Sequence, residues 1–412
     1  MMLSEAQVAR AQAVANGETY FHPNLIPTHK RLPVVFTHGQ GVWLFDEANR
    51  RYLDMLAGIA VDTLGHADPR LVAAISDQAS RMIHVSNGFH IPVQEQLAER
   101  LTRLSGMDKA FFCNSGAEAN EAAIKLARLY GHRKGVDCPT IVVMDKAFHG
   151  RTLATLWAGG NTKIQTGFGP PVDGFVRIPF GNVSALEQAL GRDPTIVAVF
   201  MEPIQGEGGL NLLDPAVLDQ IAEVTRLHGA LLMLDEVQTG VARTGRAFAF
   251  QHSSIKPDVM TLAKGLGGGV PIGACVVSGA AADVFGIGSH GSTYGGNPLV
   301  CAAANAVLAA VEADDLPTRA RDVGDHIVSL LRARLAIPGV REVRGRGLMI
   351  GIELDRPCGD IVGLALEAGL LLSVTAERVV RIVPPLTIST GEAEHGVEIL
   401  IQVVTEFLRR RP

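Results

Sequence analysis

The chain has 412 residues, of which 47% are hydrophobic and 19% charged, with a formal net charge of −5 at pH 7. This length predicts at least two domains, since a domain commonly takes about 150 residues. The charge balance excludes a basic nucleic-acid-binding surface and favours small-molecule chemistry. The five cysteines follow no CxxC spacing, so we expect neither a metal site nor a disulfide framework.

The sequence carries no sign of export or of membrane insertion. Residues 1–21 include acidic side chains and lack the apolar core of a signal peptide, and no uninterrupted apolar stretch of about 18 residues occurs. We therefore expect a soluble, cytoplasmic protein without a membrane or nucleic-acid partner.

The pattern of apolar and polar residues divides the chain into three stretches. In residues 1–70, two apolar runs separated by turn residues predict a hairpin over 34–55. In residues 71–312, short apolar runs alternate with helical patterns. The runs are 110–113, 140–145, 195–203, 230–237, 258–263 and 273–278. Because they are apolar throughout, these runs are typical of strands buried on both faces of a sheet.

The spacing of helices and strands predicts the fold class. Helical segments after Gly116 and after Asp214 separate the strands, which indicates an α/β large domain with a mostly parallel central sheet covered by helices. In residues 313–412, a helix over 318–336, two short strands within 340–354 and a last helix from about 391 predict a smaller α+β domain. Residues 1–70 are expected to be part of that small domain.

Lys264 and Asp235 stand at the ends of two predicted strands, where ligands of open α/β sheets bind. A lysine can hold an aldehyde cofactor covalently while a carboxylate faces its ring nitrogen, so pyridoxal phosphate is the expected cofactor. The pair alone is weak evidence, since an Asp and a Lys at such a separation occur in most chains of this size. The glycines after Lys264 match neither a dinucleotide fingerprint nor a Walker A loop.

A third strand end is suited to a phosphate. Asn114, Ser115, Gly116 and Ala117 separate the run 110–113 from a helix. Free backbone N–H groups and the dipole of a helix N-terminus favour an anion, Ser115 adds a hydroxyl, and Gly116 allows close approach. An ordinary helix cap by Ser115 is equally compatible with this pattern.

Three further loops carry side chains suited to a flat, anionic ligand. Phe148 would stack on a planar ring, and Arg151 in the same loop would bind a carboxylate. Glu207 lies among glycines, where it could pair with an arginine and release it when an anionic substrate arrives. Gln238 is suited to hydrogen-bond a ring hydroxyl. A core aromatic, a surface arginine and a solvated glutamate are the structural alternatives.

With these segments in order, the chain resembles the class III pyridoxal phosphate aminotransferases of fold type I over nearly its whole length, and among them the acetylornithine aminotransferase branch. The resemblance is carried by GIAVDTLGHADP, CNSGAEANEAAIKLAR, AFHGRTLAT, EPIQGEGG, DEVQTGVARTG, LAKGLGGGVPIGA and HGSTYGGNPL. It implies a homodimer with active sites at the interface. It also implies transfer of the terminal amino group of N2-acetyl-L-ornithine, or a close N-acyl relative, to 2-oxoglutarate, giving a semialdehyde and L-glutamate.

The resemblance further implies roles for individual residues. Lys264 would hold the cofactor and move the proton, and Asp235 would pair with the ring nitrogen. The implied cofactor contacts are Ser115, Gly116, Ala117, Phe148, Gln238 and the partner subunit's Thr293. The implied substrate contacts are Arg151, with Ser292 near it across the dimer interface, Arg381 for the α-carboxylate of 2-oxoglutarate or glutamate, and Glu207 as the group that covers Arg381.

Departures from the family pattern leave the amino donor open. His29, Gly88, His90 and Trp157 replace the usual residues in segments expected to shape the substrate pocket, and Ala242 replaces a glycine. Ornithine, succinylornithine, an N-acyl-diaminopimelate, 4-aminobutyrate and a diamine are therefore alternative donors. An aminomutase or racemase on the same fold, and a non-catalytic binding protein, are the alternatives from other classes.

Overall fold

The structure, a computed structural model, describes the backbone of residues 5–410 and the side chains from residue 9 onward. The strands, in chain order, are β1 (Phe36–Gln40), β2 (Trp43–Asp46), β3 (Arg51–Asp54), β4 (Lys109–Cys113), β5 (Thr140–Met144), β6 (Phe175–Ile178), β7 (Ile196–Met201), β8 (Ile204–Gln205), β9 (Asn211–Leu212), β10 (Leu231–Asp235), β11 (Val259–Leu262), β12 (Gly273–Val277), β13 (Val340–Arg346), β14 (Met349–Leu354), β15 (Leu370–Leu371), β16 (Ser373–Thr375) and β17 (Val379–Ile382).

The helical segments, in chain order, are α1 (Glu5–Ala15), α2 (Ala57–Ala60), α3 (Pro69–Arg81), α4 (Pro92–Ser105), α5 (Gly116–Arg133), α6 (Leu153–Ala158), α7 (Thr162–Gln165), α8 (Val183–Arg192), α9 (Pro215–Leu227), α10 (Pro298–Ala313), α11 (Leu316–Arg334), α12 (Ile361–Glu367) and α13 (Thr390–Arg409). Within residues 5–410, none of these helices combines the length and the apolar character that crossing a membrane requires.

A seven-stranded sheet in the order β4-β12-β11-β10-β7-β5-β6 forms the centre of the molecule. Only β12 runs against the other strands, pairing antiparallel with β11 and β4. The predicted mostly parallel sheet is therefore confirmed, and every predicted strand of this region is present. The sequence pattern does not predict β6, because the exposed Arg177 interrupts a short apolar run, as is common on an edge strand.

The strands of the central sheet are apolar because helices cover both faces. All residues of β7 and β10 are buried. Helix α5 packs on one face with alanines along its buried side, which lets its backbone approach the sheet closely. Parallel strands place their carboxyl ends at one edge, so the segments after β4, β10 and β11 meet there even though they are far apart in sequence.

The chain ends contribute two smaller sheets. The predicted hairpin is present as β1 and β2, and β3 extends it to three strands. From the other end of the chain, β15 pairs in parallel with β3, while β13, β14, β17 and β16 form a separate antiparallel sheet. We propose that residues 1–70 and 313–412 form one small unit beside the large unit 71–312, and the pairing of β3 with β15 supports this division.

The short segment α2 is a left-handed turn held by Asp54. Ala57, Ile59 and Ala60 all have positive φ, a conformation that costs roughly 1–2 kcal/mol per non-glycine residue. Asp54 compensates by accepting hydrogen bonds from the backbone N–H groups of Leu56 and Ala57, and its other oxygen lies 2.8 Å from His66 Nε2. Asp62 completes a group whose ligand atoms lie within 4.8 Å of one another. We interpret the group as a brace for this turn.

Candidate active site

A cavity of about 390 Å³ opens where the central strands end. Seven of the predicted catalytic and cofactor-binding residues line it, namely Ser115, Gly116, Ala117, Phe148, Asp235, Gln238 and Lys264. They come from the segments after β4, β5, β10 and β11, so the parallel sheet is what brings them together.

Lys264 follows β11 and supplies an amine to the cavity. Withdrawal from water lowers the pKa of this amine to about 8, and the Arg381 cation acts in the same direction although Glu207 opposes it. Its backbone is left-handed, with φ +40°, a strained conformation that is common at functional sites. A lysine with such a pKa has a substantial neutral fraction near neutral pH, which is the form that attacks a carbonyl.

Asp235 ends β10 and is only 4% exposed. Its Oδ2 accepts a hydrogen bond from Asn120 Nδ2 at 2.8 Å and lies 2.8 Å from His149 Nδ1, while Oδ1 accepts from the backbone N–H of Val237 at 3.0 Å. The His149 ring stacks on Phe200. Donors on both oxygens stabilise a buried negative charge, so the carboxylate is held ready for a cationic partner in the cavity.

The N-terminus of α5 forms one wall of the cavity. Ser115 caps the helix, its hydroxyl accepting from the Glu118 N–H at 3.2 Å, so the cap considered for this residue is present. The first N–H groups of any helix lack partners within it and favour an anion. A Cβ at Gly116 would lie 2.9 Å from Val237 Cγ1, so this position accommodates only glycine without movement.

Glu202, which follows β7, joins two loops of the site. Its carboxylate accepts hydrogen bonds from the backbone N–H groups of Phe148 at 2.9 Å and Gly206 at 3.0 Å. Burial, and then repulsion from Asp235, raise the pKa of Glu202 to about 8. The sequence places this residue at a strand end but gives no further signal of its role, because the hydrogen bonds go to backbone groups.

Glu207 and Arg381 form an ion pair of 2.5 Å between Oε1 and Nη1. Burial alone would raise the pKa of Glu207, but the neighbouring guanidinium lowers it below its ordinary value, which keeps the group ionised. The Arg381 side chain is 3% exposed and also donates to Ser373 Oγ and Gln238 Oε1. Gln238 donates in turn to Glu207 Oε1. A partly exposed carboxylate thus neutralises a deeply buried cation beside the cavity.

Arg151 lies outside the cavity lining. It is exposed, and its Cζ is 5.8 Å from the centroid of the Phe148 ring. The guanidinium therefore borders the aromatic wall of the cavity from the solvent side, and this arrangement leaves its donors available to an incoming anion.

Other residues singled out in the sequence do not line the cavity. Ser292 Oγ accepts hydrogen bonds from Asn114 Nδ2 and from the Gly295 N–H, and Thr293 lines a separate surface cavity of about 330 Å³. His90 has a side chain that is 98% exposed. His29, Gly88, His90 and Trp157 are likewise not among the residues of 5–410 that line the 390 Å³ cavity. Ala242 has φ +69°, so the backbone keeps the conformation that favours the glycine it replaces.

The sequence pattern did not predict that Asn120 and His149 contact Asp235. His149 stands beside Phe148 in the loop after β5. Its partner Asp235 ends β10, and β7 lies between these two strands in the sheet. Asn120 lies inside a helix of strong helix formers, where a polar side chain is normally interpreted as solvent-exposed. Only the packing of α5 against the sheet reveals that both side chains point at one carboxylate.

Comparison with known proteins identifies the family. The family described as aminotransferase class-III matches residues 26–404. Acetylornithine aminotransferase 1 of Bordetella bronchiseptica is 54% identical over 93% of this chain and 98% of its own length. Among solved structures, ornithine aminotransferase from Toxoplasma gondii superposes with a TM-score of 0.91 at 34% identity, covering 99% of this chain and 97% of that one.

A second solved structure carries the name of the branch that the sequence resembles. Acetylornithine aminotransferase from Elizabethkingia anophelis superposes with a TM-score of 0.85 at 33% identity, covering 98% of this chain and 100% of that one. The predicted fold type I architecture and the predicted resemblance are both confirmed. The chain therefore belongs to the class III aminotransferases, a family of transaminases that use pyridoxal phosphate as cofactor.

Proposed function

We propose that this enzyme transfers the terminal amino group of N2-acetyl-L-ornithine, or of a close N-acyl relative, to 2-oxoglutarate, giving the semialdehyde and L-glutamate. The observation that carries the proposal is the ion pair between Glu207 and Arg381 beside Lys264, because it suits a site that must accept two unlike substrates in turn. The 54% identity to an acetylornithine aminotransferase supports the choice of donor and would place the reaction in arginine biosynthesis.

The residues of the cavity fit pyridoxal phosphate. Asp235 and Lys264 both line the cavity, so that one can face a ring nitrogen while the other reaches an aldehyde. Ser115, Gly116 and Ala117 at the N-terminus of α5 line the cavity, where the first N–H groups of the helix would bind a phosphate. Phe148 and Gln238 would then contact the ring and its hydroxyl. When bound, the cofactor supplies an electron sink that acidifies the C–H bond beside the reacting nitrogen.

Each side chain then has a defined task. The neutral Lys264 Nζ would hold the cofactor at its aldehyde, and the same amine, when free, would accept the proton from the donor and return it. Asp235, held by Asn120 and His149, would face the ring nitrogen with its carboxylate. Glu202 holds the backbone of Phe148, which keeps the aromatic wall in place.

The two substrates would be distinguished by Glu207. The carboxylate of 2-oxoglutarate or glutamate would displace Glu207 from Arg381 and form the charge-assisted pair in its place. A donor that presents its terminal amine carries no carboxylate at that end, so Glu207 would stay on Arg381 and the buried cation would stay neutralised. Arg151 at the cavity border would bind the α-carboxylate of the donor.

We further propose a homodimer in which the partner subunit's Thr293 completes the phosphate site and Ser292 lies near the donor carboxylate. In a single chain, Thr293 lines a surface cavity that is separate from the one lined by Lys264. Exposed apolar side chains near it, including Ile83, Phe89 and Tyr294, support a covered face. The five cysteines are all unpaired, which supports the proposed cytoplasmic location.

A donor panel tests the substrate assignment. We expect kcat/KM with 2-oxoglutarate as acceptor to be highest for N2-acetylornithine among acetylornithine, succinylornithine, ornithine, an N-acyl-diaminopimelate, 4-aminobutyrate and a diamine. A higher value for ornithine or 4-aminobutyrate would show that the donor is wrong, while leaving transamination intact. Product formation without any 2-oxoglutarate would instead identify an aminomutase or racemase. The panel is needed because the fold superposes on an enzyme named for ornithine with a TM-score of 0.91 and on one named for acetylornithine with a TM-score of 0.85.

The cofactor assignment has its own test. Purified protein reconstituted with pyridoxal phosphate should show the visible absorption band of the lysine-bound cofactor, and Lys264→Ala should lose the band and transamination. Lys256→Ala is the matched control, since Lys256 stands a few residues before β11, whereas Lys264 follows it, and is exposed with its amine donating to the Gly106 carbonyl. A wild-type protein that shows no band would contradict the cofactor role of Lys264.

A further inference from the structure

Asn120 belongs to helix α5, yet its side chain lines the 390 Å³ cavity and is 1% exposed. Its Nδ2 donates to Asp235 Oδ2 at 2.8 Å and to the backbone carbonyl of His149 at 2.6 Å. His149 Nδ1 lies 2.8 Å from the same Oδ2. One amide group therefore holds both the buried carboxylate and the backbone of the residue that contacts it.

The place of Asn120 in its helix connects the two ends of the site. Gly116, at the N-terminus of α5, is four positions earlier, which is about one helical turn or roughly 6 Å along the axis. Because an α-helix is rigid over one turn, the same element sets the distance between the anion-binding terminus and Asp235. The helix is anchored to the sheet by its contacts with β11 and β12, so this distance is tied to the strand that precedes Lys264.

Asp235 needs this support because its surroundings are unfavourable for a carboxylate. It is 4% exposed, so protein donors must replace the water that would otherwise stabilise its charge. Hydrogen bonds to a charged group contribute more than those between neutral groups, and a buried charge that loses a donor is destabilised. A carboxylate that is not held would also be free to rotate away from the cavity.

We propose that Asn120 is a positioning residue for the reaction: it fixes the orientation and charge of Asp235 relative to the phosphate-binding terminus of α5. The inference rests on the proposed function, since the orientation of Asp235 matters to chemistry only if a cofactor ring faces it. Asn120 acts through Asp235 and does not touch the amino donor, so its loss affects cofactor affinity and turnover and leaves donor binding unchanged.

Asn120→Leu and Asn120→Asp test the proposal. The first removes the donor and keeps the number and branching of the heavy atoms at a larger volume, and the second keeps the shape but sets a carboxylate against Asp235. Loss of one charge-assisted hydrogen bond should weaken pyridoxal phosphate binding to the apoprotein and lower kcat by about 10- to 100-fold each, with KM for the donor nearly unchanged. Asn120→Asp should lose at least as much, because two buried carboxylates repel.

Thr261→Val is the matched control. Thr261 pairs in register with Asp235 on the neighbouring strand, is fully buried, and its hydroxyl has no hydrogen-bond partner among the described residues. Removing that hydroxyl disturbs the same layer without removing a donor to Asp235. Cofactor affinity and kcat of this variant should therefore stay within about twofold of wild type.

Titration of each folded apoprotein with pyridoxal phosphate, followed by steady-state kinetics, decides the matter. Reduced affinity and kcat in both Asn120 variants, with an unaffected Thr261→Val, supports the proposal. Wild-type values in the Asn120 variants, or an equal loss in Thr261→Val, overturns it. If Asn120→Leu does not fold, the isosteric Asn120→Asp decides alone. Failure of the proposed function looks different, because the wild-type protein itself would then neither bind the cofactor nor transaminate.

Discussion

The cavity at Lys264 and the surface around Thr293 differ in how one chain builds them. At the cavity, segments from four strands converge, and buried hydrogen bonds fix Asp235, Glu202 and Arg381 in place. At the surface, Thr293 and Ser292 line an open hollow in a neighbourhood of exposed side chains. The difference is what the proposed homodimer would require, with one chain building the cavity around Lys264 and a second copy completing the phosphate site and the donor site.

The largest effect should follow from Arg381→Gln, which tests whether Arg381, a residue buried within one chain, binds the acceptor. Loss of a buried charge-assisted pair should raise KM for 2-oxoglutarate about 100-fold, while the half-reaction with the amino donor changes little. Arg378→Gln, a less buried arginine on the same segment whose contact is to the Asp355 carbonyl, is the control. An equal loss in both half-reactions would show that Arg381 maintains the fold rather than selecting the acceptor.

The lowered pKa of Lys264 predicts that the rate of cofactor incorporation depends on pH, and this effect arises in the cavity of a single chain. The amine has a pKa of about 8 and attacks only when neutral, so the reactive fraction grows as pH rises. The rate of cofactor incorporation into apoprotein should therefore rise about tenfold per pH unit below pH 8 and level off above it. Stopped-flow absorbance between pH 6 and 10 measures this, and a flat profile would refute the perturbed amine.

Hybrid dimers test whether Thr293 contributes to the site of the partner subunit. If Thr293 acts across the interface, a dimer of one Lys264→Ala chain and one Thr293→Val chain contains one site with both groups intact. Its activity should exceed that of either parent, by about fivefold over Thr293→Val if the lost hydrogen bond costs about tenfold. Tagged co-expression and kinetics of the isolated hybrid measure this. Activity no higher than that of the parents would place Thr293 within its own chain's site.

The smallest effect is expected for Glu207→Gln, which tests whether Glu207 covers Arg381 in one half-reaction and releases it in the other. Without the competing charge, Arg381 should bind 2-oxoglutarate more readily, lowering its KM by about threefold, while the half-reaction with the donor slows to a similar degree. Single-turnover measurements of the two half-reactions separate these effects. A change of the same sign in both would contradict the proposed covering role of Glu207.

Local sequence patterns predicted part of the fold and part of the site. The strand runs, the helix after Gly116 and the residues at the strand ends are all located by local patterns, and the structure gathers seven of those residues around one cavity. Asn120 and Glu202 escaped assignment because their partners are a buried carboxylate on another element and backbone N–H groups, neither of which leaves a local pattern. The edge strand β6 escaped because an exposed arginine breaks its apolar run.

By itself, the sequence determined the class of fold, the lysine and aspartate at the strand ends, and the family motifs, because hydrophobic periodicity and the residues that end a strand are local properties. Only the tertiary structure decided that Asn120 and His149 share one oxygen of Asp235, and that Thr293 lines a different cavity of the same chain from Lys264. These are distances between elements that are remote in the chain, and they are set by how helix α5 and the smaller sheets pack against the central sheet.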